Sequence, residues 1–188
     1  MKKKIAVLAL QGAFMEHERI LEELGAEPVE LRKKEDLQNC FDALVLPGGE
    51  STVMGKLLRD SGLLEPLKEK INSGMPVLAT CAGLILLAEH ISKEEQIYFG
   101  TMPITVKRNA FGRQLGSFVT ECDVSKIGRI PLRFIRAPYI EKVEKGVEIL
   151  ASVNDHVVAA QYGNQIGLAF HPELTDDRSV HRYFLQII

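Results

Sequence analysis

Little in this 188-residue chain points to a covalent scaffold, a membrane or a nucleic acid. It has only three cysteines, Cys40, Cys81 and Cys122, and no Cys-x-x-Cys pair, which argues against a disulfide framework and against a bound metal such as zinc. No long hydrophobic run is present. Lys2-Lys3-Lys4 precedes only a short apolar stretch, residues 5–10, before Gln11-Gly12 and a charged helical segment, so neither a signal peptide nor a membrane span is expected. The formal net charge is -2, which leaves no basic excess to attract nucleic acid or an anionic membrane. Repeats, low-complexity tracts and linker-like stretches are missing, as are the Walker spacing and a Gly-x-Gly-x-x-Gly loop. What is there, 46% hydrophobic and 26% charged residues, suits a soluble globular protein, expected as one cytoplasmic, enzyme-sized domain over residues 1–188.

The first half alternates strand and helix signals. Apolar strands are expected at 4–10, 28–32, 43–46 and 75–79. Between them, 14–24 has helical spacing with Phe14, His17, Ile20, Leu21 and Leu24 on one side, and Gly25 ends it. Ser51 is read as the cap of a second helix carrying Met54, Leu57 and Leu58, and 64–72 and 84–90 as two more. Near-continuous apolar strands between amphipathic helices indicate a parallel sheet covered on both faces. The second half predicts short strands at 104–106, 116–122, 133–136, 147–153, 156–161 and 165–170. Asn154-Asp155 and Gly163-Asn164 suit hairpin turns there, and a last helix covers 177–186. The sum is an α/β domain with an antiparallel addition.

Three features carry chemistry. The apolar strand 75–79 stops abruptly before Cys81, with Ala82, Gly83 and a helix-like run beyond. Small residues two positions either side of a nucleophile permit a tight strand-to-helix turn that lifts its side chain out of the sheet. A small buried hydrophobe is the competing reading of such a cysteine. The second feature is His171-Pro172-Glu173, directly after an apolar strand. Residues two apart in an extended segment share a side, which would set a carboxylate beside an imidazole as orienter and base; a surface ion pair is the bland alternative. The third is Pro47-Gly48-Gly49-Glu50, where adjacent glycines can turn N–H groups into a pocket; an ordinary turn or a phosphate loop competes. Strand ends in a parallel sheet converge at one edge, so the three together favour a shared catalytic site over three separate bland readings. Cys40 and Cys122 are assigned to packing, and His17, His90, His156 and His181 to no catalytic role.

Gly48-Gly49-Glu50-Ser51, Thr80-Cys81-Ala82-Gly83 and His171-Pro172-Glu173, in that order, resemble class I (triad-type) glutamine amidotransferases. Leu10-Gln11-Gly12, Pro47 through Thr52, Arg108 through Gln114, Phe134 through Pro138 and Phe170 through Thr175 extend the likeness over essentially the whole chain. They bring it closest to the glutaminase subunits of pyridoxal 5'-phosphate synthases. One departure is Ala79, where many relatives carry glycine. The resemblance implies a flavodoxin-like three-layer sandwich with a mostly parallel central sheet. It implies hydrolysis of L-glutamine to L-glutamate and ammonia through a thioester on Cys81, with His171 as base and acid and Glu173 orienting its imidazole. Gly49 and Ala82 are implied as oxyanion donors. Gly48, Gly49, Glu50, Arg108, Ile135 and Arg136 are implied as the glutamine-binding set. The implied partner is an ammonia-accepting synthase subunit in a hetero-oligomer, with pyridoxal phosphate as product and no cofactor bound by this chain. Activity gated by docking would need a switch, for which the Gly48–Gly49 peptide is the candidate and Gln11 the coupling residue. The alternatives are the glutaminase of another amidotransferase such as imidazole glycerol phosphate synthase, a γ-glutamyl hydrolase, or a non-catalytic flavodoxin-like binding module.

Overall fold

Twelve strands and five α-helices make up the described part of the chain, residues 2–109 and 116–188 of a computed structural model. The Arg108-to-Gln114 segment therefore lies outside the described residues from Ala110 onward. Strands β1 (Lys4–Leu8), β2 (Glu27–Leu31), β3 (Ala43–Leu46) and β4 (Val77–Thr80) are linked by helices α1 (Phe14–Glu23), α2 (Ser51–Asp60) and α3 (Leu64–Asn72). Helix α4 (Ala82–Leu87) follows. The remainder is β5 (Ala88–Ile91), β6 (Met102–Lys107), β7 (Ser117–Val124), β8 (Gly128–Ile135), β9 (Tyr139–Val143), β10 (Glu148–Val153), β11 (His156–Tyr162), β12 (Gln165–Leu168) and α5 (Ser179–Gln186).

The main sheet runs β2-β1-β3-β4-β12-β11-β9-β6-β5, with β10 paired to β11. Its first five strands are all parallel neighbours. From β12 to β6 the pairing is antiparallel, which is the expected addition. Every residue of β3, β4 and β12 is buried, as strands sandwiched between helical layers must be. The β1-to-β2 step moves one way across the sheet and the β3-to-β4 step the other, so right-handed crossovers put α1 and the α2–α3 pair on opposite faces. Helix α5 joins α1 on its face, where His181 meets His17. Strands β7 and β8 form a separate antiparallel ribbon.

Four local expectations are revised. The helix expected over 84–90 ends at Leu87, because the carbonyls of Leu86 and Leu87 are taken by the N–H groups of Phe99 and Thr101 and the chain turns extended to pair with β6. His90 consequently lies on a strand. The cap of α2 is Glu50, not Ser51: Glu50 is extended and its carboxylate accepts from Thr52 N and Val53 N, while Ser51 is the first, buried helical residue. Strand β9 and the 3₁₀ turn Lys34–Gln38 were not expected. His171 and Glu173 do not share a strand face, because β12 stops at Leu168 and Pro172–Leu174 is a 3₁₀ turn with Pro172 in its first position.

Candidate active site

Strands β1, β3, β4 and β12 lie side by side and all end at one edge, which fixes where their following loops meet. Cys81 leaves β4 with φ 48° and ψ -99°, a left-handed conformation costly for a residue with a side chain and therefore imposed by its surroundings. Its N–H is held by Leu168 O of the neighbouring strand at 2.8 Å. Gly83 permits the turn: a Cβ there would lie 2.1 Å from Leu46 O, so α4 packs directly on the β3 backbone. Cys81 is 7% exposed, and its thiol faces Ile135 O at 3.9 Å.

His171 is fixed from the opposite side. Its N–H donates to Arg133 O on β8, so the ribbon positions the residue after β12. The 3₁₀ turn then brings Glu173 back, and His171 Nδ1 lies 2.7 Å from Glu173 Oε1, both residues buried. Burial alone pushes an imidazolium's pKa down. Hydrogen bonds to Cys81 and Glu173, and the negative charge both can carry, outweigh that and hold His171 at about 10. The electrostatics thus favour an imidazolium beside a sulfur nucleophile, the arrangement that activates cysteine.

The diglycine loop closes the cleft. A Cβ on Gly48 would fall 2.3 Å from His171 Cε1, so only glycine lets the loop approach the imidazole. Gly48 O accepts from Ala13 N at 2.9 Å, and the trans peptide sends Gly49 N–H the other way. Gln11 Oε1 accepts from Glu50 N at 2.8 Å, tying the end of the β1 loop to this turn. The Glu50 carboxyl sits below the usual range. Burial works against that, but the N–H groups of Thr52 and Val53, the Thr52 hydroxyl and the Arg108 charge prevail.

A cleft of about 470 Å³ collects the expected residues: Gln11, Gly48, Gly49, Glu50, Cys81, Ala82, Arg108, Ile135, Arg136 and His171 all line it, while Glu173 stands behind His171. Arg108 is anchored by Thr52 Oγ1 at 3.0 Å, Tyr98 Oη at 3.3 Å and Glu94 at 3.2 Å. Arg136, exposed and with φ 44°, has no carboxylate partner among the described residues. The described residues contain no cluster of three or more His, Cys, Asp and Glu able to hold a metal ion.

The site extends beyond the expected set. His17, given no role above, is fully buried, with Nε2 at 3.2 Å from Thr80 Oγ1 and 3.5 Å from Glu173 Oε2, and Nδ1 at 2.9 Å from His181 Nε2. Its one signal in the sequence is a histidine on the apolar face of α1.

The model of the SNO glutamine amidotransferase family matches residues 7–188. The chain is 58% identical over 185 residues to "Pyridoxal 5'-phosphate synthase subunit PdxT" of Desulfitobacterium hafniense strain Y51, covering 98% of this chain and 93% of that one. It is 55% identical over 187 residues to the protein of that name from Streptococcus pneumoniae strain ATCC 700669, covering 98% and 97%. A solved structure described as a glutamine amidotransferase superposes with a TM-score of 0.92 at 44% identity over 97% of both chains. PurLQS from Thermotoga maritima, at 17% identity and TM-score 0.73 over 99% of both chains, shares the fold.

Proposed function

Because the chain belongs to the SNO glutamine amidotransferase family, we infer that it is a glutaminase that hydrolyses L-glutamine to L-glutamate and ammonia and hands the ammonia to a partner synthase subunit making pyridoxal 5'-phosphate. The observation that carries the chemistry is the meeting, in one cleft, of a strained cysteine after β4 and of His171 after β12, with buried Glu173 bonded behind the imidazole. The names of the relatives carry the destination of the ammonia, and none favours imidazole glycerol phosphate synthase or a γ-glutamyl hydrolase. A binding module has no use for the strain at Cys81. The proposal takes residues 1–188 as one domain. A cytoplasmic setting belongs to it as well, in keeping with three free thiols. No helix among the described residues is long and apolar enough to cross a membrane.

In the mechanism, Cys81 Sγ attacks the side-chain amide carbon of glutamine. The C=O π pair moves to oxygen, and the oxyanion is met by the N–H groups of Gly49 and Ala82, each worth about 3 kcal/mol in the transition state. His171 holds the thiol proton and gives it to the departing nitrogen, so ammonia leaves and a γ-glutamyl thioester remains. Water, deprotonated by His171, then attacks the thioester carbon. The tetrahedral intermediate collapses by breaking the C–S bond, glutamate leaves, and the Cys81 thiolate is restored beside His171, which keeps the proton taken from water. Glu173 keeps the ring oriented throughout and pairs with its charge whenever His171 is protonated. At the substrate's other end, Glu50 meets the α-ammonium and Arg108 and Arg136 face the α-carboxylate, with the Ile135 backbone beside them.

Gln11 couples docking of the synthase to the Gly48–Gly49 peptide through its bond to Glu50 N, so turnover depends on the partner. Ammonia release measured with the chain alone, with the synthase subunit, and with Cys81→Ala plus synthase tests the reading. Release that needs Cys81 and rises with synthase supports it. Release independent of Cys81 removes the mechanism, and equal rates with and without synthase remove the gating.

A further inference from the structure

Glu173 spends one carboxylate oxygen on His171. The other, Oε2, is buried and accepts no hydrogen bond from a described residue, yet His17 Nε2 stands 3.5 Å from it. A buried carboxylate oxygen without a donor is costly, and catalytic hydrogen bonds that are long in a resting structure commonly tighten in the working complex. We propose that His17, backed by His181, is a positioning residue whose Nε2–H fixes the second oxygen of Glu173 and so keeps Oε1 on the His171 imidazole. This rests on the glutaminase reading above.

Proton placement follows from the contacts. Glu173, ionised, can only accept. A proton on His17 Nε2 therefore points at Thr80 Oγ1 and Glu173 Oε2, and His17 Nδ1 is left to accept from His181 Nε2–H across 2.9 Å. The reverse assignment fails twice. It would set the His17 Nε2 lone pair against the carboxylate, and it would leave a proton on His181 Nδ1, which is buried without a partner among the described residues. A bare nitrogen there costs less than a stranded N–H. The result is a directed chain, His181 to His17 to Glu173, with His171 Nδ1–H arriving at the other oxygen.

Neutrality matters as much as direction. Burial, then the charges of His181 and His171, push the His17 pKa well below its ordinary value, and burial with the Arg178 charge, opposed by Asp177, lowers His181 to about 3. Thr80 from β4, Glu173 and His171 from the loop after β12, and His181 from α5 are the groups that face His17. A neutral donor orients Glu173 without cancelling the negative charge that His171 uses. An arginine or lysine in its place would do the first and undo the second.

The test compares two amides of similar polarity, His17→Gln and His17→Asn, in the complex with synthase. Glutamine carries its N–H₂ near the ε position and can still reach Glu173; asparagine is one bond too short. The expected result is a kcat about tenfold lower for His17→Asn with KM within about twofold, and a kcat within about threefold of the parent for His17→Gln, a tenfold step being roughly 1.4 kcal/mol. The His171 ring titration, followed by ¹⁵N NMR, should also move down in His17→Asn alone. Equal kcat in Asn and parent, or equal loss in both variants, overturns the proposal. If neither variant folds, His181→Phe keeps the ring volume and removes the group that pins the His17 proton; unchanged kcat there overturns it too. An inactive parent complex would instead remove the glutaminase reading itself.

Discussion

Replacing Glu173 by glutamine isolates its charge from its size. The amide oxygen can still accept from His171 Nδ1–H, so what is lost is the negative partner that opposes burial of the imidazolium. Holding His171 at about 10 rather than 6.5 corresponds to roughly 5 kcal/mol at ~1.36 kcal/mol per pH unit. Cys81 and Glu173 both contribute to that rise, and assigning about half to Glu173 leaves roughly 2.4 kcal/mol, or about fiftyfold in rate. Steady-state ammonia release in the synthase complex should therefore show kcat reduced about fiftyfold, with KM within about twofold because Glu173 lies behind His171 and outside the cleft lining. The stability profile carries the same sign. A histidine whose folded pKa exceeds its unfolded value stabilises the fold fully below pH 6.5 and loses that contribution as pH rises through about 10. Glu173→Gln should flatten the decline over that window in urea titrations. A variant within about threefold of parental kcat, with the alkaline decline intact, would refute the reasoning.

Gly48→Ala should cost at least about a hundredfold in kcat while leaving the fold intact, since its methyl must displace the His171 ring; near-parental turnover would contradict that contact. Arg136→Ala should raise the glutamine KM about tenfold, a charge-assisted bond being worth roughly 1.5–3 kcal/mol, and an unchanged KM would remove Arg136 from the binding set. In acid, His17 and His181 behave oppositely to His171. Their lowered pKa values mean that stability is complete above pH 6.5 and falls as pH drops from there toward about 3 for His181, at up to ~1.4 kcal/mol per pH unit for each histidine. His181→Phe should reduce that slope, and a parental profile flat from pH 7.5 to 5 would show the pair to be solvated.

The parallel half of the fold was legible because β1 beyond Lys4, β3, β4 and β12 are buried on both faces and so read as largely apolar runs, broken only by Thr80 and Gln165 at strand ends. The turn at Cys81 was legible for a related reason: small residues flank a polarisable side chain where a strand must stop. Less visible were β9, whose Tyr139–Val143 run follows a proline and carries two charges, and β5, whose residues favour a helix until the backbone of Phe99 and Thr101 claims the preceding carbonyls. Local pattern cannot report such tertiary pairing. The same limit hid His17. Its place on the apolar face of α1 was plain, but Glu173 lies far along the chain, and only the packing of α1 and α5 on one face of the sheet brings His17, His181 and Glu173 together. The His171–Glu173 contact was anticipated on extended geometry and is delivered by a 3₁₀ turn.

Rapid acid quenching of the synthase complex during turnover, followed by peptide mass spectrometry, interrogates the nucleophile directly. A γ-glutamyl adduct confined to the peptide containing Cys81, absent when His171 is replaced by alanine, is the result predicted here. Ammonia released at the parental rate with no adduct on that peptide, or with the adduct on Cys40 or Cys122, would contradict a thioester formed at the turn after β4.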